Sequence, residues 1–435
     1  MRDFENIIYW NKLNVDEQEQ ILLRPFLNES NTIKKTVKEI IEEVKILGDK
    51  ALKKYTFLFD KQEINTFQIP EKKIFSASFY LSKVLKKSIA IAKKNITFFH
   101  KAQISSKIDV ETEIGVRCQQ ISLPLNSIGI YIPGGTAPLF STVLMLAIPA
   151  KIAGCKEVAL CSPPPISNEI LYTAHVCGIK NIFQVGGAQA IAALSLGTQS
   201  IPKVDKIFGP GNAYVTEAKL QVSSICNATA IDMLAGPSEL LIIADYSANP
   251  DFIAADLLSQ AEHGMSSQVI FLTPCIELAQ NVIQSLNKQL KQLSRLSEIL
   301  IALKNSRVIL TKDLSECIKI ANMYAPEHLI IQTKSPREVL QYISNASSIF
   351  LGLWSPESAG DYASGTNHVL PTYGRSVVNS SLGLSDFQKR VLVQELTSQG
   401  LVKLSSTLEI LSSAENLEAH RNAVKIRVDF LKGKI

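Results

Sequence analysis

The chain has 435 residues, 46% of them apolar and 20% charged, which excludes a disordered or collagen-like protein and predicts about three domains. Its net charge is +5, and no segment gathers lysine and arginine on one face, so we expect no nucleic-acid partner. No run reaches the about 18 apolar residues of a membrane span, and the N-terminus lacks a signal-peptide core, so we expect no membrane association.

The first quarter of the chain is predicted to be mostly helical. Residues 1–26 are predicted to form a separate short arm that ends at Arg24-Pro25. From residue 32 to about 57, apolar residues recur at helical spacing with lysine and glutamate between them. A second helical stretch is predicted from about 71 to 103.

From residue 127 onward, short apolar runs alternate with helical segments. The first array has predicted strands at 127–132, 157–161, 181–185 and 204–208. Three of these strands end in glycine turns, which are Pro133-Gly134-Gly135, Gly186-Gly187 and Gly209-Pro210-Gly211. A second array has predicted strands at 239–244, 268–272, 307–310, 328–331 and 348–351. This alternation predicts two related α/β lobes, each with a parallel sheet covered by helices.

Beyond about residue 383 the alternation stops. Residues 385–399 and 408–430 are predicted to be helices with no strand between them. Such a helical tail could pack on its own lobe or reach a partner chain.

Two pairs of polar residues are candidates for chemistry, and each has a structural alternative. Gln260 and His263 lie on one face at the C-terminal end of a predicted helix. They could be metal ligands, or His263 could simply cap the helix and interact with its dipole. Glu327 and His328 are adjacent in the loop between a predicted helix and a predicted strand. They could transfer protons and activate water, or they could belong to an ordinary surface loop.

Two further segments are also polar. Asp361 and His368 belong to the segment 355–368, which is either a functional loop, with a metal ligand and a substrate donor, or a flexible linker. Glu415 and His420 lie on a predicted tail helix, which could otherwise be plain exposed surface. The glycine turns are candidates for phosphate contact, although none has the GxGxxG pattern.

The cysteines favour neither a disulfide framework nor a zinc ribbon. Their number, seven, is odd, and no two have CxxC spacing, so the sequence predicts a reducing, cytoplasmic environment. Cys155 and Cys161 sit beside apolar residues and are predicted to be buried structural thiols rather than nucleophiles.

Seven motifs in one order give the chain a resemblance to the histidinol dehydrogenase family. They are GIYIPGGTAPLFSTVLMLAIPAKIAGC, VGGAQAIAAL, KIFGPGNAYVTEAK, AGPSE, DLLSQAEHG, YAPEHL and SPESAGDYASGTNHVLPT, and they run from about residue 115 toward the C-terminus. The resemblance implies two Rossmann-like, aldehyde-dehydrogenase-like α/β lobes in a domain-swapped homodimer. It places catalytic loops and metal ligands in a first lobe, 27–130 with 238–382, and NAD in a second lobe, 131–237. The remaining segments would be the N-terminal arm, 1–26, and the helical tail, 383–435, and the tail would cross to the partner subunit.

The resemblance also implies an activity. It is the zinc-dependent oxidation of L-histidinol to L-histidine through L-histidinaldehyde, with two NAD reduced, at the end of histidine biosynthesis. The implied zinc ligands are Gln260, His263, Asp361 and His420, and the implied acid–base pair is Glu327 and His328. Implied NAD contacts are Tyr131, Gln189 and Asn212. The substrate would be held by Ser238, His368 and Glu415 together with the zinc ligands and His328. His420 and Glu415 would complete the active site of the other subunit.

One position departs from the family pattern, and two other functional classes stay open. Leu234 stands where the family commonly has proline, and we expect a local adjustment of the turn. A metal hydrolase could use the same histidine and acid set with bound water. A non-catalytic binding protein derived from the enzyme is the other alternative, but every implied functional position keeps the expected residue type.

Overall fold

The computed structural model describes residues 4, 6–25, 31–134, 138–225, 229–233 and 236–433. Gly135 of the predicted turn and the departure at Leu234 lie outside the described residues. Within these ranges, none of the helices is long and apolar enough to cross a lipid bilayer.

The first part of the chain is mainly helical, as predicted. It begins with strand β1 (Ile7–Tyr9) and helix α1 (Val15–Ile21). Four helices follow, α2 (Asn31–Leu47), α3 (Asp49–Asp60), α4 (Glu71–Ser76) and α5 (Lys83–Ala102). An antiparallel pair, β2 (Ile108–Glu113) and β3 (Val116–Pro124), comes next.

A five-stranded parallel sheet forms the next lobe. Its strands are β4 (Ser127–Tyr131), β5 (Glu157–Ser162), β6 (Asn181–Gln184), β7 (Lys206–Phe208) and β8 (Ala230–Ile231). The connecting helices are α6 (Phe140–Ala153), α7 (Asn168–Cys177), α8 (Gly187–Leu196) and α9 (Ala213–Ser223). Helix α6 is apolar on nearly every side and is therefore buried over most of its length.

A six-stranded parallel sheet forms the other lobe. Its further strands are β9 (Glu239–Ala244), β10 (Gln268–Thr273), β11 (Arg307–Leu310), β12 (His328–Gln332) and β13 (Ser348–Leu351). Its helices are α10 (Pro250–Ala261), α11 (Ile276–Leu290), α12 (Leu296–Lys304), α13 (Leu314–Tyr324), α14 (Pro336–Leu340) and α15 (Glu357–Tyr362).

The two lobes share one strand order. The sheets run β6-β5-β4-β7-β8 and β1-β11-β10-β9-β12-β13. When the strands of each lobe are numbered along the chain from β4 and from β9, and the edge strand β1 is left out, both sheets have the order 3-2-1-4-5, which is that of a doubly wound fold. The predicted pair of related α/β lobes with parallel sheets is therefore confirmed.

The predicted separate N-terminal arm is wrong. Strand β1 lies at the edge of the six-stranded sheet, where Ile7, Ile8 and Tyr9 pair with β11. Trp10, directly after it, is buried in the core of the same lobe. Three residues are too few to show a strand period in the sequence, so this strand had no detectable signal.

The assignment of residues 27–130 to the first lobe is also wrong. Helix α2 buries Val37, Ile40 and Val44 in the core of the five-stranded lobe. Helix α5 packs on α6 of that lobe, and β4 is the sheet's central strand. A helical period shows that one face is buried, but it does not show which sheet covers that face.

The predicted all-helical tail is wrong over its first part. Residues 388–396 form strand β14 (Gln388–Leu396), which pairs antiparallel with β3 and makes a three-stranded sheet. Helices α16 (Ser398–Ala414) and α17 (Glu418–Leu431) follow, so the rest of the tail is helical. The pairing with β3, which is distant in the chain, overrides the local helical preference of this segment.

Candidate metal and acid–base site

A cavity of about 180 Å³ lies between the two lobes. The five-stranded lobe reaches it through Thr142 and through Gly209 and Pro210, which follow β7. The six-stranded lobe reaches it through Ser238, just before β9, and Glu327, just before β12. The carboxyl edge of one sheet therefore faces the amino edge of the other.

The predicted acid–base pair, Glu327 and His328, is buried at the start of β12. Residue Ala325, which ends α13, has a left-handed φ of 52°, and this bend directs both side chains inward. The backbone N–H of Glu239 donates to Oε2 of Glu327 at 2.8 Å. Nδ1 of His328 lies 3.2 Å from the carbonyl oxygen of Glu239. Since a carbonyl can only accept, Nδ1 carries the proton and Nε2 is left as the acceptor.

The surroundings keep this histidine neutral. Burial lowers the pKa of His328 to about 3. Burial, together with the charges of Glu239 and Asp361, raises the pKa of Glu327 well above its usual range. A neutral imidazole with a free acceptor nitrogen is the form that takes a proton in general base catalysis.

Helices α10 and α15 bring three of the four predicted metal ligands to one place. A ring nitrogen of His263 and carboxylate oxygens of Glu357 and Asp361 lie within 4.8 Å of one another. Gln260 is fully buried in the last turn of α10, and its amide nitrogen donates to Oε1 and Oε2 of Glu357, the latter at 3.2 Å. The three predicted ligands Gln260, His263 and Asp361 thus surround the same carboxylate, that of Glu357.

Glu357 was not among the predicted site residues. It is fully buried, and its Oε1 lies 3.5 Å from Nδ1 of His328. The sequence did contain a signal, because Glu357 and Asp361 are four residues apart and therefore share one face of α15.

The charge of this group fits a divalent cation. Burial raises the pKa of Asp361 to about 7. Burial, followed by the charges of Asp361 and Glu327, raises the pKa of Glu357 well above its usual range. Buried carboxyl groups that resist ionisation together are stabilised in their charged form by a metal ion, and imidazole and carboxylate are ligands that zinc accepts.

His368 and Ser238, which were predicted to hold a substrate, also line the cavity. Nδ1 of His368 donates to the backbone oxygen of Asp361 at 2.7 Å, and its Nε2 is 3.1 Å from the hydroxyl oxygen of Thr142. Both ring nitrogens therefore have protein partners. Because Thr142 belongs to α6, His368 also links the two lobes at the cavity.

The three residues predicted to contact NAD lie at the carboxyl edge of the five-stranded sheet. Tyr131 ends β4, and its hydroxyl oxygen accepts from the N–H of Gly187 at 3.1 Å. Gln189 is buried, and its Oε1 has no hydrogen-bond partner among the described residues. Asn212 caps α9 by accepting from two backbone N–H groups at 3.1 Å. Strands β4 and β7 meet at the switch point of the sheet, which is where doubly wound folds bind nucleotides.

Glu415 and His420 are not brought to this site within a single chain. Both are exposed on the tail, and neither lines the cavity. Of the four predicted metal ligands, Gln260, His263 and Asp361 therefore lie together, and His420 lies apart from them on the tail.

Cys161 is buried, as predicted, whereas Cys155 is only half-buried. Cys161 is fully buried in β5, and burial raises the pKa of its thiol. Burial raises the pKa of Cys155 to about 11. The six cysteines of the described ranges are unpaired.

Comparisons with known proteins find chains that are similar in sequence and in overall fold. The model of the family described as histidinol dehydrogenase matches residues 24–428. A histidinol dehydrogenase of Buchnera aphidicola subsp. Acyrthosiphon pisum (strain APS) is 80% identical over 435 residues, which is 100% of both chains. One of Escherichia coli (strain K12) is 58% identical over 429 residues, 99% of both chains. A crystal structure of histidinol dehydrogenase from Elizabethkingia anophelis has a TM-score of 0.94 and 45% identity and covers 97% of both chains.

Proposed function

Because the chain belongs to the histidinol dehydrogenase family, we propose that it oxidises L-histidinol to L-histidine through L-histidinaldehyde. Each of the two steps transfers a hydride to NAD, so one histidinol and one water yield one histidine and two reduced NAD, with release of protons. These are the final steps of histidine biosynthesis. The observation that carries the proposal is the buried Glu327–His328 pair, with Nε2 of His328 3.8 Å from Oδ1 of Asp361.

Gln260, His263 and Asp361 would hold zinc together with His420 of the partner subunit. When bound, zinc supplies a Lewis acid that fixes the imidazole and amino nitrogens of histidinol. The buried carboxyl groups of Asp361 and Glu357 support this assignment, since the described contacts give them no lysine or arginine partner. Glu357 would act on the site through its hydrogen bond with the amide of Gln260.

The acid–base pair would move the protons of both oxidations. Nε2 of His328 takes the hydroxyl proton of the alcohol while the hydride leaves the carbinol carbon. Glu327 then removes a proton from the water that adds to the aldehyde carbon, while protonated His328 returns its proton to the aldehyde oxygen, which gives the hydrate and leaves His328 neutral again. Nε2 of His328 takes a hydroxyl proton of the hydrate as the second hydride leaves, and the product is the carboxylic acid. This route needs no thiol nucleophile.

NAD and substrate would enter the cavity from different lobes. Tyr131, Gln189 and Asn212 would contact NAD at the carboxyl edge of the five-stranded sheet, where it accepts the hydride when bound. Ser238 and His368 would hold histidinol at the amino edge of the other sheet. Glu415 of the partner subunit would complete the substrate contacts.

The tail supports a homodimer with shared active sites. Ile410, Leu411 and Phe430 on its helices are 66%, 58% and 68% exposed. Large apolar side chains that stay exposed on helices can belong to an interface. We expect the tail to cross to the second subunit and to carry His420 into its site.

The activity is tested by adding L-histidinol and NAD to the purified protein and following the absorbance of reduced NAD. Two reduced NAD per histidinol are expected. Exhaustive removal of metal by a chelator should abolish turnover, and zinc should restore it. Hydrolysis of an ester or amide without reduction of NAD would instead identify a metal hydrolase.

The shared site is tested by mixing two inactive variants, His420→Asn and Glu327→Gln. Random pairing makes about half of the dimers mixed, and each mixed dimer has one intact site if the tails cross. About a quarter of full activity is then expected. A mixture that stays inactive, although subunit exchange is complete, would contradict the crossed arrangement.

A further inference from the structure

Arg24, in the segment after α1, forms a two-point ion pair with Glu239. Its Nε donates to Oε1 of Glu239 at 2.6 Å, and its Nη2 donates to Oε2 at 3.0 Å. The two side chains are only 14% and 2% exposed. A paired arrangement of this kind fixes the orientation of both groups as well as their separation.

The same guanidinium also holds the bend that precedes Glu327. Nη2 of Arg24 donates to the backbone oxygens of Tyr324 at 2.5 Å and Ala325 at 3.3 Å. The guanidinium carbon lies 4.0 Å from the centroid of the Tyr324 ring. Since a left-handed φ is unfavourable for alanine, the conformation of Ala325 persists only because its surroundings hold it.

Glu239 binds both members of the acid–base pair through its backbone. As described for the site, its backbone N–H binds Glu327 and its backbone oxygen binds Nδ1 of His328. Its side chain additionally accepts from the N–H of Tyr373, in the segment after His368. Arg24 and Glu239 therefore join the start of β9, the bend before β12 and the segment after His368.

We propose that Arg24 is a positioning residue for the proton transfers of Glu327 and His328, which it controls through Glu239 and the 324–325 bend. Arg24 does not line the cavity, so it acts without touching the substrate. The inference rests on the proposed function and adds a residue to its machinery. Without the guanidinium, Glu239 would be a buried carboxylate with no counter-charge, and it would either take up a proton or shift. A shift at Glu239 moves both hydrogen bonds that set the geometry and the tautomer of the pair.

Lysine cannot replace this arginine. An ammonium group is a compact charge on a flexible stem, whereas the guanidinium is a planar fork that here reaches two carboxylate oxygens and two carbonyl oxygens. Arg24→Lys keeps the charge and removes the fork. It is therefore a sharper test than a neutral replacement.

The experiment compares full-length Arg24→Lys and Arg24→Met with a matched control, Arg307→Met. Arg307 lies in the same sheet and donates to the backbone oxygens of Lys304 and Ser306 at 2.9 and 2.8 Å, but it does not contact Glu239 in the described contacts. For each variant we would measure kcat, KM for both substrates, the pH profile of kcat, the zinc content and the melting temperature.

We expect Arg24→Lys to lower kcat by about 10²-fold, as a displacement of about 1 Å does at a reacting centre. KM for NAD should stay within about twofold, because its contacts lie on the other lobe. The pH profile of kcat should shift in Arg24→Lys and not in Arg307→Met. If Arg24→Met fails to fold, Arg24→Lys still decides the question.

A second readout needs no turnover. ¹⁵N spectra of histidine-labelled protein, assigned with His328→Asn, should show the Nδ1–H form of His328 in the wild type and a mixture of forms in Arg24→Lys. An unchanged form of His328, or a kcat within twofold of the wild type per folded, zinc-loaded site, would overturn the inference. A wild type that shows the Nδ1–H form but does not reduce NAD would overturn the proposed function instead, and the change of form in Arg24→Lys would still support the positioning role.

Discussion

Lys219→Met is expected to destabilise the five-stranded lobe strongly. Nζ of Lys219 donates to Oδ1 of Asp232 at 2.5 Å and to the backbone oxygens of Gly209 at 2.7 Å and Met233 at 3.4 Å. The side chains of Lys219 and Asp232 are 3% and 1% exposed. Oδ2 of Asp232 accepts from the N–H of Gly209. The pair therefore holds both polar groups of Gly209, at the turn that lines the cavity.

The size of the effect follows from burial. Methionine has about the volume of lysine but leaves the carboxylate of Asp232 buried and without its partner, which costs about 3–5 kcal/mol. For a lobe of about 200 residues, each kcal/mol lowers the melting temperature by about 2–4 °C, so a fall of about 6–20 °C is expected. Adding Asp232→Asn removes the unpaired charge, so the double variant should lose less than the sum of the single variants.

The assay is thermal unfolding followed by circular dichroism, with Lys54→Met as the matched control. Lys54 pairs with Glu43 on the same lobe, but their side chains are 57% and 24% exposed. An exposed pair contributes about 0–1 kcal/mol, so this control should melt within a few degrees of the wild type. If Lys219→Met melted no earlier than Lys54→Met, the reasoning from burial would be refuted.

Three further predictions concern single side chains. His328→Asn should lower kcat by about 10²–10⁴-fold with the fold intact, and near-normal steady-state turnover would exclude His328 as the base. Cys155→Ser and Cys161→Ser should keep turnover, because the route needs no thiol; a folded variant with no reduction of NAD would contradict it. Burial lowers the pKa of His100. Below about pH 6.5 the imidazole therefore binds a proton in the unfolded state but not in the folded state. The free energy of unfolding should decrease as the pH is lowered, by up to about 1.4 kcal/mol per pH unit for this residue. Melting curves of His100→Gln between pH 5 and 7 should show a weaker pH dependence than the wild type, and an equal dependence would show that His100 is not the group responsible.

The strands buried on both faces could be predicted from the sequence, and the exposed ones could not. The residues of β9 and β11 were predicted with the bounds that the structure shows, because buried parallel strands give continuous apolar runs. Strand β14 has mostly exposed side chains, and Lys389 and Arg390 interrupt any apolar pattern. Its identity depends on β3, which lies more than 250 residues earlier in the chain, and local periodicity holds no information on such a partner.

The site could be predicted in part, and for different reasons at different residues. Spacing singled out Gln260 with His263 and the adjacent Glu327 with His328, but only the family resemblance joined them into one site. The structure brings these residues together with Asp361. Glu357 and Arg24 were not predicted as site residues, and the structure shows them bound to Gln260 and Glu239. The position of Glu357 four residues before Asp361 was a signal in the sequence, whereas Arg24 and Glu239 are 215 residues apart and no local pattern connects them.

The position of the acid–base pair also explains why a fold rule alone does not find it. In doubly wound sheets, ligands bind beyond the carboxyl ends of the strands, and Tyr131 and Gly209 lie at such ends in the five-stranded lobe. Glu327 and His328 instead lie at the amino end of β12, which is the opposite edge of its own sheet. At this edge the pair has support from other segments of the chain. The backbone of Glu239 and the guanidinium of Arg24 provide that support, and both come from segments that local sequence patterns leave unconnected.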